Sequence, residues 1–213
     1  MKIAILGATG FTGKVLVKKA LERHYSVRVL ARDPNKLASF GDAIEIIEGD
    51  YFDEQALNQV VEGIDVVLST IGAPATRKTS LNADNFADAM TQLIDSMTHA
   101  NVKRFINLAS AGTRFEGEKV VFIRGLIRLF FSITAPVVIP AKEKELAILQ
   151  NSALEWTTIR PPLIQENVKG SLQVSSEFLK GNKVDVEHLT DFMLDNIHSK
   201  DWISKAPFVT TEG

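Results

Sequence analysis

A seven-residue turn, Gly7-Ala8-Thr9-Gly10-Phe11-Thr12-Gly13, constrains this chain more than any other feature. It follows an apolar run, Lys2–Leu6, and opens a segment, Phe11–Arg23, in which Val15, Leu16, Ala20 and Leu21 recur at helical spacing. A strand that turns at once into a helix leaves little room for side chains. Gly7 permits the sharp turn, Gly10 opens the backbone to close approach, and Gly13 lets the helix lie against the strand. The first amides of such a helix point unpaired from its positive end, where a pyrophosphate can be held by backbone alone. The same triplet also occurs as a plain tight turn. Its place after a strand and before a helix favours dinucleotide binding.

The rhythm set by that turn continues for about half the chain. Ser26–Ala31 and Ile44–Glu48 alternate like strands, and Val66–Ser69 and Arg104–Ala109 are further strand candidates. Between the last two, Phe86, Met90, Leu93, Ile94 and Met97 place a helix over Asn82–Ala100. Strands alternating with helices at this pitch predict an α/β fold, a doubly wound, mainly parallel sheet of Rossmann type with helices on both faces. After Ser110 the pattern changes. A polar loop spans 111–119, an apolar helix with Arg124 and Arg128 on one face spans 120–134, and a charged helix covers Ala141–Ser152. Trp156–Arg160 reads as a sixth strand stopped by Pro161-Pro162, a helix follows over Val186–His198, and Ala206–Thr211 is expected to close the sheet. The expectation is one domain over 1–213, with a cofactor half (1–110) and a lid, sixth strand and small C-terminal substrate side (111–213).

Composition excludes several chemistries. The 213 residues contain no cysteine, which removes disulfides, thiolate metal sites and cysteine nucleophiles. The residue types that bind metals do not cluster at ligand spacing, so no metal is expected. A net charge of −2 does not call for a nucleic-acid partner. The most apolar stretch, Val120–Ala141, is broken by Arg124, Arg128, Pro136 and Pro140, too soon for a span of about 18 residues. The N-terminal apolar run is too short for an export signal, so a cytoplasmic location is expected. The rival is a protein that touches membrane through 120–140.

The dinucleotide is chosen at the end of the second strand. An acidic residue there holds a ribose 2′-hydroxyl, whereas an arginine suits a 2′-phosphate. Here Arg32 comes first and Asp33 follows, with Lys36 nearby. NADP is favoured, and NAD remains possible if Asp33 turns to the ribose. Arg32 has a plainer reading as a solvated strand-end residue paired with a carboxylate.

Taken together, the glycine turn, Ala31-Arg32-Asp33, Gly49-Asp50, Ser69-Thr70-Ile71-Gly72, Ser110, Glu145 and Ser152–Pro162 (SALEWTTIRPP) resemble the atypical short-chain dehydrogenase/reductase group. The resemblance is to its NmrA-like and biliverdin/flavin reductase branches, and covers nearly the whole chain. It implies that Gly7, Thr9, Gly10, Phe11, Thr12 and Gly13 hold the pyrophosphate side and Arg32 the 2′-phosphate. Asp50 and Tyr51 would border the adenine, and Thr70, Ile71 and Gly72 its ribose and phosphates. Ala109, Ser110, Pro161, Pro162 and Leu163 would lie near the nicotinamide, and Ser110 matches the catalytic serine of typical members. Lys142 matches the lysine that holds the ribose and serves catalysis.

Typical members also carry a tyrosine four residues before that lysine, the acid for a carbonyl oxygen. Here the position is Val138, and the chain's two tyrosines, Tyr25 and Tyr51, fall in the cofactor half. His24, His99, His188 and His198 lie on or beside helices away from 110–165. Glu143, Lys144 and Glu145 are expected on a solvated helix face. The implied protein is an NADPH-dependent reductase of a planar acceptor, such as a flavin or quinone, that needs no protein acid. Phe115, Phe122, Phe130 and Phe131 would supply an apolar face for that small molecule within 111–140, with Arg114, Arg124 or Arg128 meeting an anionic substituent. The same phenylalanines equally suit a lid or a dimer seam, so the chain is read as monomer or homodimer. A non-catalytic NADP sensor is the alternative, and a sugar-nucleotide epimerase or dehydratase fits less well.

Overall fold

Apolar runs form the strands of the first half and helix-period segments form the helices between them, and the fold follows from that order. A computed structural model describes residues 1–115, 118, 122–179 and 181–213. Strands β1 (Lys2–Leu6), β2 (Ser26–Ala31), β3 (Ile44–Glu48), β4 (Val66–Ser69), β5 (Arg104–Leu108) and β6 (Glu155–Ile159) form one parallel sheet in the order β3-β2-β1-β4-β5-β6. Helices cover both faces, so β1, β2, β4 and β5 are buried almost continuously rather than alternately. On one face α2 (Glu54–Val61), α3 (Ala83–His99) and α5 (Val138–Gln150) pack through Leu57, Phe86, Leu93 and Leu146. On the other, α1 (Phe11–Glu22) and α6 (Val186–Asp195) pack through Leu16, Val17, Leu189 and Met193. Each such fully buried aliphatic side chain contributes about 1.5–3 kcal/mol.

Short polar side chains set where the helices begin. Asn82 and Asn85 form a reciprocal capping box at α3, while Asp53 and Asp185 accept from Gln55 N and Glu187 N at the starts of α2 and α6. The strand order reverses between β1 and β4. There the carboxyl ends of the two strands diverge and leave a crevice, the place where open parallel sheets take ligands.

The second half follows expectation at one helix and departs from it in two places. The expected helix over 120–134 is observed as α4 (Phe122–Thr134), residues 120 and 121 lying outside those described, as do 116, 117 and 119 of the expected loop. The expected helix over Ala141–Ser152 begins at Val138, because Pro140 falls in the first turn, where its missing N–H costs nothing. Ala206–Thr211 does not close the sheet as a regular strand. It touches β6 through isolated bridges at Thr157–Lys205 and Arg160–Phe208, after which β10 (Phe208–Glu212) pairs antiparallel with β8 (Ser171–Ser175). A second small pair joins β7 (Leu163–Gln165) to β9 (Lys183–Asp185).

Arg160 holds that segment against the end of β6. Its Nε donates to the Ala206 carbonyl at 2.8 Å, and its guanidinium lies 3.7 Å from the centre of the Phe208 ring. The other two nitrogens grip Glu118 at 2.8 and 2.6 Å, and Arg124 of α4 donates to the same carboxylate at 2.8 Å. One buried cation therefore ties the lid loop, α4, β6 and the C-terminal segment together. Burial pushes the Glu118 carboxyl up, but the Arg160 hydrogen bonds and charge, with the Phe115 amide and Arg124, outweigh it and hold it below its usual range. Removing one partner of such a cluster strands the other, so Arg160→Leu should lose about 3–5 kcal/mol in urea unfolding. Glu118 ionises at lower pH folded than unfolded, so its contribution is full above the unfolded value and is lost as pH falls through the folded one. Glu118→Gln should therefore flatten the acid limb of the stability curve, and an unchanged limb would contradict this role.

Candidate functional site

The crevice begins at the turn after β1. Gly7 has a φ of +82°, and a Cβ there would stand 2.7 Å from Thr70 Oγ1 and 3.0 Å from the Ile71 backbone. At Gly13 a Cβ would meet the Gly7 carbonyl oxygen at 2.1 Å and Ala8 Cα at 2.8 Å, which is backbone against backbone. Gly10 differs: its Cβ would meet only the Gly7 oxygen, at 3.3 Å. The turn is thus closed toward the protein and open toward the crevice. Gly10 caps α1 without a side-chain hydrogen bond, its own N–H donates to the Gly7 carbonyl, and no acidic residue stands in the first turn. Among the described residues, the Phe11, Thr12 and Gly13 amides find no acceptor. The cradle fits a pyrophosphate. Thr70 locks its far wall, donating from Oγ1 to the Leu6 and Gly7 carbonyls at 3.2 and 3.1 Å.

Beyond the turn the crevice is lined by Thr9, Arg32, Asp50, Tyr51, Ile71 and Gly72 with Ala31, so the expected adenine-side residues lie together, while Ala109, Ser110, Lys142 and Pro161 to Leu163 are not part of this lining. Leu30, Gly49, Phe52, Pro74, Leu81 and Phe86 line it too and were not expected there. Arg32 is exposed, and its Nη1 lies 3.7 Å from Asp50 Oδ2, a loose pair within reach of an anion. Asp33 is engaged locally, accepting from Asn35 N at 3.1 Å and Asn35 Nδ2 at 3.2 Å as the cap of the 3-10 turn that follows. Tyr51 is buried; burial, followed by the Glu145 charge, pushes its phenol well above the usual range, so it stays protonated.

At the other end, Ala109 and Ala111 donate to the carbonyls of Ile159 and Pro161, which joins the tips of β5 and β6. Ser110 and Pro161 meet here, and Leu163 is exposed at the rim. The Ser110 hydroxyl accepts from the Gly112 amide at 3.2 Å within its own turn, leaving its proton free to be donated outward. Lys142 reaches a different wall. Its ammonium donates to the Ile71 carbonyl at 2.8 Å and to Glu145 Oε2 at 2.6 Å, and no described contact links it to Ser110. Glu145 itself corrects the expectation of a solvated helix face. It is buried, its Oε1 has no partner, and burial, opposed by Lys142, pushes its carboxyl up. The signal was present in the sequence as an i, i+3 pair on one helix. Glu143 and Lys144 do reach the surface, pairing with Arg128 and Asp84.

Val138 stands half-buried in the first turn of α5, one turn before Lys142, and offers no proton. The lid candidates are divided. Phe115 packs into the core at 6.2 Å from the Trp156 ring, Phe131 is half-buried, and Phe122 and Phe130 are exposed. Arg124 is buried on Glu118 and Arg128 is taken by Glu143 and the Gly112 carbonyl, so of the three lid arginines considered only Arg114 keeps an exposed side chain. Among the described residues no single helix is long and apolar enough to cross a membrane.

This architecture is that of a dinucleotide-binding Rossmann domain. Residues 7–200 match the model of a family described as NAD(P)H-binding, and the chain belongs to that family. An isoflavone reductase homolog of Arabidopsis thaliana is 32% identical over 115 residues, 49% of this chain and 34% of that protein. The photosystem II assembly factor Ycf39 of Trieres chinensis is 31% identical over 113 residues, 52% of this chain and 34% of that protein. This chain thus spans about a third of the length of these relatives. A short-chain dehydrogenase/reductase of Veillonella parvula, solved in complex with NADP, superposes with a TM-score of 0.79 at 17% identity over 100% of this chain and 95% of that one. That likeness shows the fold and agrees with the resemblance read from the motifs.

The two inner glycines separate packing from binding. Gly13→Ala should destabilise the fold by about 1–3 kcal/mol, because backbone must move. Gly10→Ala should leave the melting temperature within about 2 °C and weaken NADPH binding in a fluorescence titration. Equal losses of stability in both variants would contradict the assignment of Gly10 to the ligand side.

Proposed function

We propose that this protein is an NADPH-dependent reductase of a planar, electron-poor acceptor, and that hydride transfer in it proceeds without a protein acid at the position of the usual tyrosine. The observation that carries the reading is a crevice lined by Thr9, Arg32, Asp50 and Gly72 together with an aliphatic side chain, Val138, one helical turn before Lys142. Reduced nicotinamide, when bound, supplies a hydride. The turn at Gly7–Gly13 binds the pyrophosphate by backbone amides. Lys142, fixed between Ile71 and Glu145, stiffens the loop after β4 that borders the ribose side. Ser110 offers one outward hydroxyl beside the tips of β5 and β6. Acceptors that tolerate the added charge, or draw their proton from water, need no more than orientation and a dry face from the protein.

NADP is favoured over NAD because Asp33 is occupied as a cap while Arg32 stands exposed beside Asp50. A guanidinium bonded to a phosphate is worth about 1.5–3 kcal/mol. Arg32→Ala should therefore weaken NADPH binding about tenfold or more and leave NADH binding unchanged. Unchanged NADPH affinity, with NADH equal to it, would remove the 2′-phosphate assignment.

A second reading is a cofactor-binding protein without turnover, in keeping with the name of the assembly-factor relative. The rate of NADPH oxidation across a panel of flavins and quinones separates the two. Turnover above the protein-free rate supports the reductase. Tight NADPH binding with no turnover on any acceptor supports the sensor.

A further inference from the structure

Among the described residues, one face of α4 gathers five of the eight exposed large apolar side chains. Phe122 is 82% exposed, and Leu126, Leu129, Phe130 and Ile133 are between 51 and 62% exposed. Phe122, Leu126, Leu129 and Ile133 recur at four-three-four spacing, the alternation of the two inner positions of a coiled-coil heptad. Gly125 and Ser132, both exposed and seven residues apart, lie along one flank of this seam, and Phe130 lies along the other. We propose that this seam is an interface between two copies of the chain, formed by an antiparallel pairing of α4 with α4 of a second copy.

A bilayer surface suits this helix poorly. Helices that lie on membranes carry lysine or arginine around the apolar face. The two arginines of α4 both turn back into the protein, Arg124 to Glu118 and Arg128 to Glu143, which leaves the seam without a cationic rim of its own. Deeper insertion as a bent pair with α5 would withdraw Lys142 and Glu145 from the core they occupy.

A second copy suits it well. A two-fold axis crossing the seam between Leu126 and Leu129 sets Phe122 against Ile133 of the other copy, Leu126 against Leu129, and Gly125 against Ser132. Large residues thus meet large ones, small ones meet small ones, and every contact occurs twice. The five apolar side chains expose on the order of 550 Å² per copy, so pairing removes at most about 1,100 Å², near the lower bound for a specific interface. The absence of charge on the seam leaves nothing to repel an identical face. Arg124 and Arg128, anchored to Glu118 and Glu143, hold α4 in place before any partner arrives. The proposal is independent of whether the crevice supports turnover.

The test is the oligomeric state of the whole protein by analytical ultracentrifugation from about 1 to 200 μM, the range in which an interface of this size associates. The unaltered protein should form a dimer, and Leu126→Glu with Leu129→Glu should raise its dissociation constant at least about 100-fold. The circular dichroism and melting temperature should stay near those of the unaltered protein, because both positions are exposed. Since the chain has no cysteine, single cysteines report the geometry. At a rise of about 1.5 Å per residue, Leu129→Cys sits near the axis and should cross-link between copies, whereas Phe122→Cys sits about 16 Å from its counterpart along the helix and should not. A protein that is monomeric throughout, a dimer indifferent to both glutamates, or cross-linking at 122 in preference to 129 would overturn the proposal. So would binding of the monomer through α4 to vesicles of anionic phospholipid.

Discussion

Contact between the backbone of α1 and the backbone just after β1 governs this structure. With hydrogens in place of side chains at Gly7 and Gly13, the helix sits so close to the strand that a single Cβ at Gly13 would stand 2.1 Å from a carbonyl oxygen. That closeness aims the first amides of α1 across the end of the sheet rather than along it. It also fixes where β4 can lie, since Thr70 is hydrogen-bonded to the same turn. The crevice, its anion-binding end and the neighbouring strand are consequences of one steric demand, and burial of the apolar helix faces stabilises the arrangement once made.

Electrostatics divides the remainder into two tethers. Lys142 and Glu145 draw α5 against the loop after β4, and Arg160 with Glu118 draws the lid against β6 and the C-terminal segment. Both place charge where water is scarce, at a desolvation cost that the pairing offsets. Neither provides a proton donor beside Ser110. The phenol of Tyr51 is protonated but lies in the wall shared with Arg32 and Asp50, at the opposite end of the crevice. In the function proposed here, a crevice for a dinucleotide is combined with few acid–base groups, among the described residues, beside Ser110.

Much of this was legible in the residues alone. The alternating strands and the glycine turn predicted the parallel order and the crevice because they depend on local sterics and on period. Gly7 and Thr9 line one crevice with Arg32, Asp50, Tyr51 and Gly72, and the last three were singled out by the family resemblance rather than by spacing. Less legible were features that depend on distant partners. Glu145 looked like one more charge on a solvated helix, and only its approach to Ile71 through Lys142 shows that it is buried. Arg160 read as part of a motif, while its grip on Ala206 and Glu118, 46 and 42 residues away, ties the C-terminal segment and the lid to the end of β6. Pro74 and Leu81 gave no signal, since the segment around them has neither helical nor strand period.

Hydrogen exchange with and without NADPH tests the central claim most directly, because backbone amides are what the turn offers the cofactor. The account predicts slowed exchange at residues 7–13, with smaller protection at 49–52 and 70–72, and none along α4. Saturating NADPH that leaves residues 7–13 exchanging at their free rate would contradict it.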